Sequence, residues 1–78
     1  MEDKEISISV VKEDSTVEFK YISRKGYLRK RLSELGFISG EDIYVIKNAG
    51  KGPVVVRVKD SRIVLGRGES KKVIVNAK

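Results

Sequence analysis

The apolar positions of this chain follow two different periods, and the change between them marks its elements. Ile6, Ile8 and Val10 alternate with Ser7 and Ser9, which predicts a short strand buried on one side. Lys12-Glu13-Asp14-Ser15 reads as a polar connector. After it Val17, Phe19 and Tyr21 alternate with Glu18 and Lys20, so a second strand is expected with Tyr21 on its buried face. From about Lys25 the spacing lengthens: Leu28, Leu32 and Leu35 stand at i, i+4 and i+7, a single apolar stripe on a helix of about three turns. Arg29, Lys30, Ser33 and Glu34 lie off that stripe. Gly36 is expected to end the helix in the left-handed conformation, with Phe37 and Ile38 folding back on its last turn.

Beyond the Ser39-Gly40 turn the period is short again. Ile43, Tyr44, Val45 and Ile46 are apolar on both faces of a strand from about Asp42 to Lys47. Asn48 to Pro53 is a loop by composition. Val54, Val56 and Val58 share one face of the next strand, and Val55, Arg57 and Lys59 the other. Asp60-Ser61 is expected to turn the chain into a strand from Arg62 to Leu65, because Asp tolerates the left-handed region. Gly66 to Ser70 reads as a turn or short 3₁₀ piece, and Val73 to Val75 as a last strand. Strands this short leave open edges unless the sheet curls. The expected fold is therefore mainly β: a small SH3-like barrel of five to six short strands with one short α-helix across one end, closed so that the edges disappear.

Composition narrows the function. With 78 residues, 40% hydrophobic and 36% charged, the chain is expected to form a single globular domain over 1–78. A chain this small buries only about 60% of its unfolded surface, so a roomy enzyme cleft is not expected. It contains no Cys and no His, which excludes disulfides, thiolate or imidazole metal sites, Cys or His nucleophiles and the base of a serine triad. Apolar runs such as Val54-Val55-Val56 are far short of the ~20 residues that span a bilayer, and the start does not read as a signal peptide, so a soluble, cytoplasmic protein is expected.

Phosphate loops fail on spacing. Before Gly50-Lys51 a P-loop needs Gly where Val45 stands and a hydroxyl where Gly52 stands; a dinucleotide fingerprint from Gly66-Arg67-Gly68 needs Gly where Lys71 stands. Glu13-Asp14 and Glu41-Asp42 are sequence neighbours, which a strand would point to opposite faces, so no acid–base pair emerges. The expectation is a non-enzyme with no catalytic residue, no cofactor and no metal-ligand set.

The net charge is +6, distributed unevenly: residues 1–18 carry −4 and the remainder +10. Lys20, Arg24, Lys25, Arg29, Lys30 and Arg31 form a stretch with no acidic residue between them, suited to phosphates, anionic lipid or an acidic protein face. Small basic barrels with exposed rings also bind RNA by stacking, and Tyr21, Tyr27 and Tyr44 are the available platforms. Core packing is the reading for Tyr21, whereas Tyr27 stands free ahead of the helix stripe.

Arg31-Leu32-Ser33-Glu34-Leu35-Gly36-Phe37-Ile38-Ser39-Gly40, the Gly52-Pro53 loop, and Ile63-Val64-Leu65-Gly66-Arg67-Gly68-Glu69-Ser70-Lys71-Lys72-Val73-Ile74-Val75, taken in order, resemble the FeoA family. These are the small ferrous iron transport proteins A of bacteria, and the resemblance covers about Thr16 to Val75. It implies an SH3-like barrel that is not an enzyme and serves as a cytoplasmic accessory of FeoB, the ferrous iron permease with a cytosolic GTP-binding domain. The transition metal ion is then the transporter's cargo, and the partner is the cytosolic domain of FeoB at the inner membrane. On this reading Tyr27, Arg29, Lys30 and Arg31 carry part of the contact, from a monomeric or weakly self-associating module. The alternative is an RNA- or ribosome-binding small basic barrel.

Departures from the family pattern are specific. Ser39 replaces the usual Pro, Ser70 the usual Ala and so calls for a hydrogen bond if buried, and Asp60-Ser61 a common Gly. The Ala49-to-Pro53 loop is one residue shorter than usual. A related domain ends iron-dependent repressors, but this chain has no room for their DNA-binding part and reads as a stand-alone module or a fragment.

Overall fold

Alternating apolar residues pair into six antiparallel strands in the order β1-β6-β2-β3-β4-β5: β1 (Glu5–Ser7), β2 (Ser15–Ile22), β3 (Asp42–Lys47), β4 (Val54–Val58), β5 (Ser61–Leu65) and β6 (Val73–Ala77). A 3₁₀ turn (Ile8–Val10) follows β1, the helix α1 (Tyr27–Glu34) joins β2 to β3, and a one-turn helix α2 (Arg67–Ser70) joins β5 to β6. The computed structural model describes residues 4–24 and 26–77. Lys25, where the helix was expected to begin, and the acidic residues Glu2 and Asp3 lie outside the described residues.

One face of the curled sheet holds the core. Val17, Phe19, Ile43, Val45, Val54, Val56, Val58, Ile63, Leu65, Val73 and Val75 meet Ile8, Leu32 and Phe37 there. Phe19 and Phe37 pack edge to face, with ring centroids 5.5 Å apart, a favoured geometry for aromatic pairs.

Several expectations change in the structure. The first strand stops at Ser7, because Ser7 Oγ accepts a hydrogen bond from Ser9 N (3.1 Å) and turns the backbone away from the ladder. Ile8 is then fully buried while Val10 is 67% exposed. Second, Tyr21 is not in the core. The register of β2 against β6 slips between Phe19 and Tyr21, leaving Lys20 as the extra residue of a bulge; this puts Tyr21 outside and Ile22 inside. Third, the β4–β5 connection is Lys59-Asp60 rather than Asp60-Ser61, and it is Lys59 that takes the positive φ of 55°. Finally, among the described residues the sheet does not close by hydrogen bonding: β1 and β5 remain its two ends. The 3₁₀ turn and α2 cover that end of the core instead, tied by Ser7 Oγ donating to Ser70 O (3.0 Å) and Arg67 Nη1 to Ser9 O (3.0 Å). Ser70 is fully buried, and its hydroxyl donates to Arg67 O (2.7 Å), which supplies the bond this position called for.

α1 has eight residues rather than about three turns, so Leu35, expected on its buried stripe, falls outside it and is 40% exposed; its end nonetheless matches the Gly36 signal. Phe37 N donates to Leu32 O (3.0 Å) and Gly36 N to Ser33 O (3.2 Å), while Gly36 sits at φ 108°. A Cβ on Gly36 would stand 3.4 Å from Val58 Cγ1. Gly36→Ala is expected to destabilise by about 1–2 kcal/mol, the penalty of a side chain in the left-handed region, and a thermal melt would show it.

Candidate interaction site

The four residues expected to contact a partner do not form one patch. At 100° per residue, the core stripe of α1 runs through Leu28 and Leu32, which leaves Lys30 pointing away from the body and puts Arg29 and Arg31 on opposite borders. Arg31 leans to one side, where Nη1 lies 3.3 Å from Glu69 Oε2 and joins α1 to α2. Tyr27 is 78% exposed. Arg29 leans to the other side, into a groove. The structure thus brings Tyr27, Lys30 and Arg31 to adjoining positions, gives Arg31 a bond within the fold, and sets Arg29 apart with different neighbours.

That groove, about 360 Å³, lies between α1 and β2. Phe19, Ile22 and Phe37 provide its apolar base, Tyr21 and Ile38 its exposed apolar walls, and Arg29 its cationic rim. The bulge in β2 turns Tyr21 toward it. Ser39 Oγ donates to Lys20 O (2.6 Å), fastening the Ser39-Gly40 turn to the bulged strand despite the missing proline. Tyr21 Oη donates to Glu5 Oε1 (3.1 Å), and that bond, with the negative charge behind it, raises the phenol's pKa so that it stays protonated.

Tyr21 and Ile38 are the site residues that sequence reasoning missed. A signal existed for Tyr21: Ile22 is apolar at a position that strict alternation from Phe19 would place outside, which is the phase slip a bulge produces. For Ile38 none did, since the return of the chain after Gly36 buries Phe37 and leaves Ile38 55% exposed.

Among the described residues no group of three or more acidic side chains is placed to hold a metal ion. No helix among them is long and apolar enough to cross a membrane. Tyr44, another ring considered as a stacking platform, has the Arg57 guanidinium 5.3 Å from its centroid and donates its hydroxyl to Asp14.

Comparison with known proteins agrees with this architecture. The chain superposes on a crystal structure described as an iron uptake regulatory protein, FeoA, with a TM-score of 0.84 at 21% identity, covering 96% of this chain and 99% of that one. Against Stenotrophomonas maltophilia FeoA, solved with zinc and described as a procaryotic SH3 domain protein, the TM-score is 0.81 at 27% identity, covering 90% and 88%. T. acidophilum IdeR contains the same fold in 36% of its chain, with a TM-score of 0.86 at 20% identity. No curated protein matches the sequence. The mainly β fold is thus SH3-like, with a second, one-turn helix beyond the one expected. The FeoA domain model matches residues 6–77, nearly the whole chain, and with the fold in agreement this protein belongs to the FeoA domain family, which is associated with ferrous iron transport.

Proposed function

We propose that the protein is a cytoplasmic accessory of ferrous iron uptake, a non-enzymatic module that docks on the cytosolic domain of the FeoB transporter and modulates it. The FeoA match over residues 6–77 carries this reading. The Stenotrophomonas maltophilia relative, described as a candidate bacterial ferrous iron transport activating factor, supports it. The groove beside α1 supplies a contact of suitable character, with exposed Tyr21 and Ile38 for apolar burial and Arg29 for charge steering. Tyr27 and Lys30 offer a second contact on the side of the helix beside Arg31, away from the groove. The RNA-binding alternative has less support, since Arg57 occupies a face of Tyr44.

Calorimetric titration against the soluble cytosolic domain of a cognate FeoB, with and without nucleotide and with total RNA as competitor, tests the proposal. Saturable binding that survives RNA is expected. In the double variant Arg29→Glu with Ile38→Glu it should weaken at least tenfold, a loss of about 1.4 kcal/mol or more. The melting behaviour should change little, because both side chains are exposed. Absence of binding, with RNA retained instead, would move the function to the nucleic-acid reading.

A further inference from the structure

The open edge of β5 and the sheet face beside it have no part in the reading above. Among the described residues β5 hydrogen-bonds only to β4, and no other backbone bond reaches Ser61–Leu65. The two-residue connection Lys59-Asp60 makes Val58 and Ser61 the hydrogen-bonded closing pair, so the alternation of an antiparallel ladder turns the N–H and C=O groups of Arg62 and Val64 away from β4. Their side chains lie on the outer face, Arg62 exposed and Val64 56% exposed, while Ile63 and Leu65 point into the core.

The surface alongside is cationic with an apolar base. A cleft of about 610 Å³ is lined by Lys47, Lys51 and Arg62 around Pro53 and Val55, and no carboxylate lines it. Arg57, the cross-strand partner of Arg62, extends the charge toward Tyr44. None of Lys47, Lys51, Arg57 and Arg62 has an ion-pair partner among the described residues.

We infer that β5 accepts an acidic, extended segment of a partner protein as an added strand. Outward backbone groups at every second residue are complementary to another polypeptide in the extended conformation, whereas a nucleic acid offers no such ladder. Side chains on the added strand then alternate in the same way. The position opposite Arg62 takes a carboxylate and the one opposite Val64 an apolar side chain, giving an acidic–x–apolar or apolar–x–acidic pattern according to direction. A second copy of this chain is a poor occupant. It would bring another Arg62 and another Lys47 cluster to the same edge, and such charges are a common device against self-pairing of edges. The other end of the sheet, β1, has only three residues and passes directly into the 3₁₀ turn.

The probe is a fluorescent eight-residue peptide, Thr-Glu-Thr-Val-Thr-Glu-Thr-Val, titrated by anisotropy at low salt. Saturable binding is expected, weakened by salt, at least tenfold weaker with Arg62→Glu, and lost when Lys replaces Glu in the peptide. Val64→Pro removes an outward N–H without taking a bond from β4, so it is expected to keep the fold and lose the peptide. A copy of the peptide N-methylated at every residue after the first keeps the charge but cannot pair in either direction, and its loss of binding decides the matter even if Val64→Pro fails to fold. Amide exchange at Arg62 and Val64 should slow in the complex. Equal binding of the N-methylated copy, equal binding of the Lys peptide, protection centred elsewhere, or no binding of the parent peptide would each overturn the inference. Because no transporter domain enters the assay, its result is independent of the FeoB reading.

Discussion

Leu32→Ala is expected to lower the unfolding free energy by about 2–5 kcal/mol, the range for removing a buried large side chain. Leu32 is the only buried residue of α1 and has no solvent exposure. Its carbonyl also receives Leu35 N and Phe37 N at 3.0 Å, so the side chain anchors the same turn whose backbone ends the helix. An eight-residue helix does not persist by itself. Losing this anchor should therefore release α1 along with creating a cavity. A domain of this size is stable by about 4–12 kcal/mol, which makes the expected loss a large share of the total. Urea melts would read it as a lower midpoint. Amide exchange should show the helix opening before the strands, and the groove beside β2, which needs Arg29 and Ser33 in place, should be lost at the same denaturant concentration. An unchanged melt would mean that α1 does not pack as described.

Arg67→Ala is expected to cost about 2–3 kcal/mol and to loosen the Asn48–Pro53 loop. The guanidinium donates from Nε to Gly52 O (2.9 Å), from Nη1 to Ser9 O (3.0 Å) and from Nη2 to Asn48 Oδ1 (2.9 Å). Asn48 Nδ2 in turn donates to Ser9 O (3.0 Å) and Val11 O (2.8 Å). One side chain thus ties α2 to the loop before β4 and to the 3₁₀ turn after β1, across the end where the sheet is not closed. A hydrogen bond involving a charged group contributes about 1.5–3 kcal/mol. These bonds share partners and are partly solvated, so their losses do not add. Arg67→Lys should recover little of the effect, because an ammonium cannot present the three directions of the guanidinium fork. Thermal melts give the stability, and faster amide exchange at Gly50 with the core strands unchanged would locate the loosening in the loop.

The sequence pattern read most of the strands because a half-buried strand needs its apolar residues at every second position, wherever its partners lie. Val17 and Phe19 in β2, and Val54, Val56 and Val58 in β4, are buried as that rule requires. The Leu28–Leu32 spacing and Gly36 were likewise sufficient for α1 and its end, since both act within a few residues of chain. The contact residues were less legible. Tyr27, Arg29, Lys30 and Arg31 are adjacent in sequence, but a helix distributes such neighbours around its axis, and only contacts with α2 and β2 show that Arg31 turns to Glu69 and Arg29 to the groove.

Local sequence therefore determined most of the elements, the cationic balance after residue 18, the exclusion of Cys and His chemistry, and, through the Arg31–Gly40 and Ile63–Val75 segments, the family. Tertiary structure decided the phase of β2 beyond Phe19, the exposure of Tyr21 and Ile38, the reach of Arg67 across three segments, and the fact that β5 keeps an open edge. Periodicity and turn chemistry are set by forces between residues close in sequence. A bulge, a groove wall or a free edge depends on which distant strand lies alongside and on which strand does not.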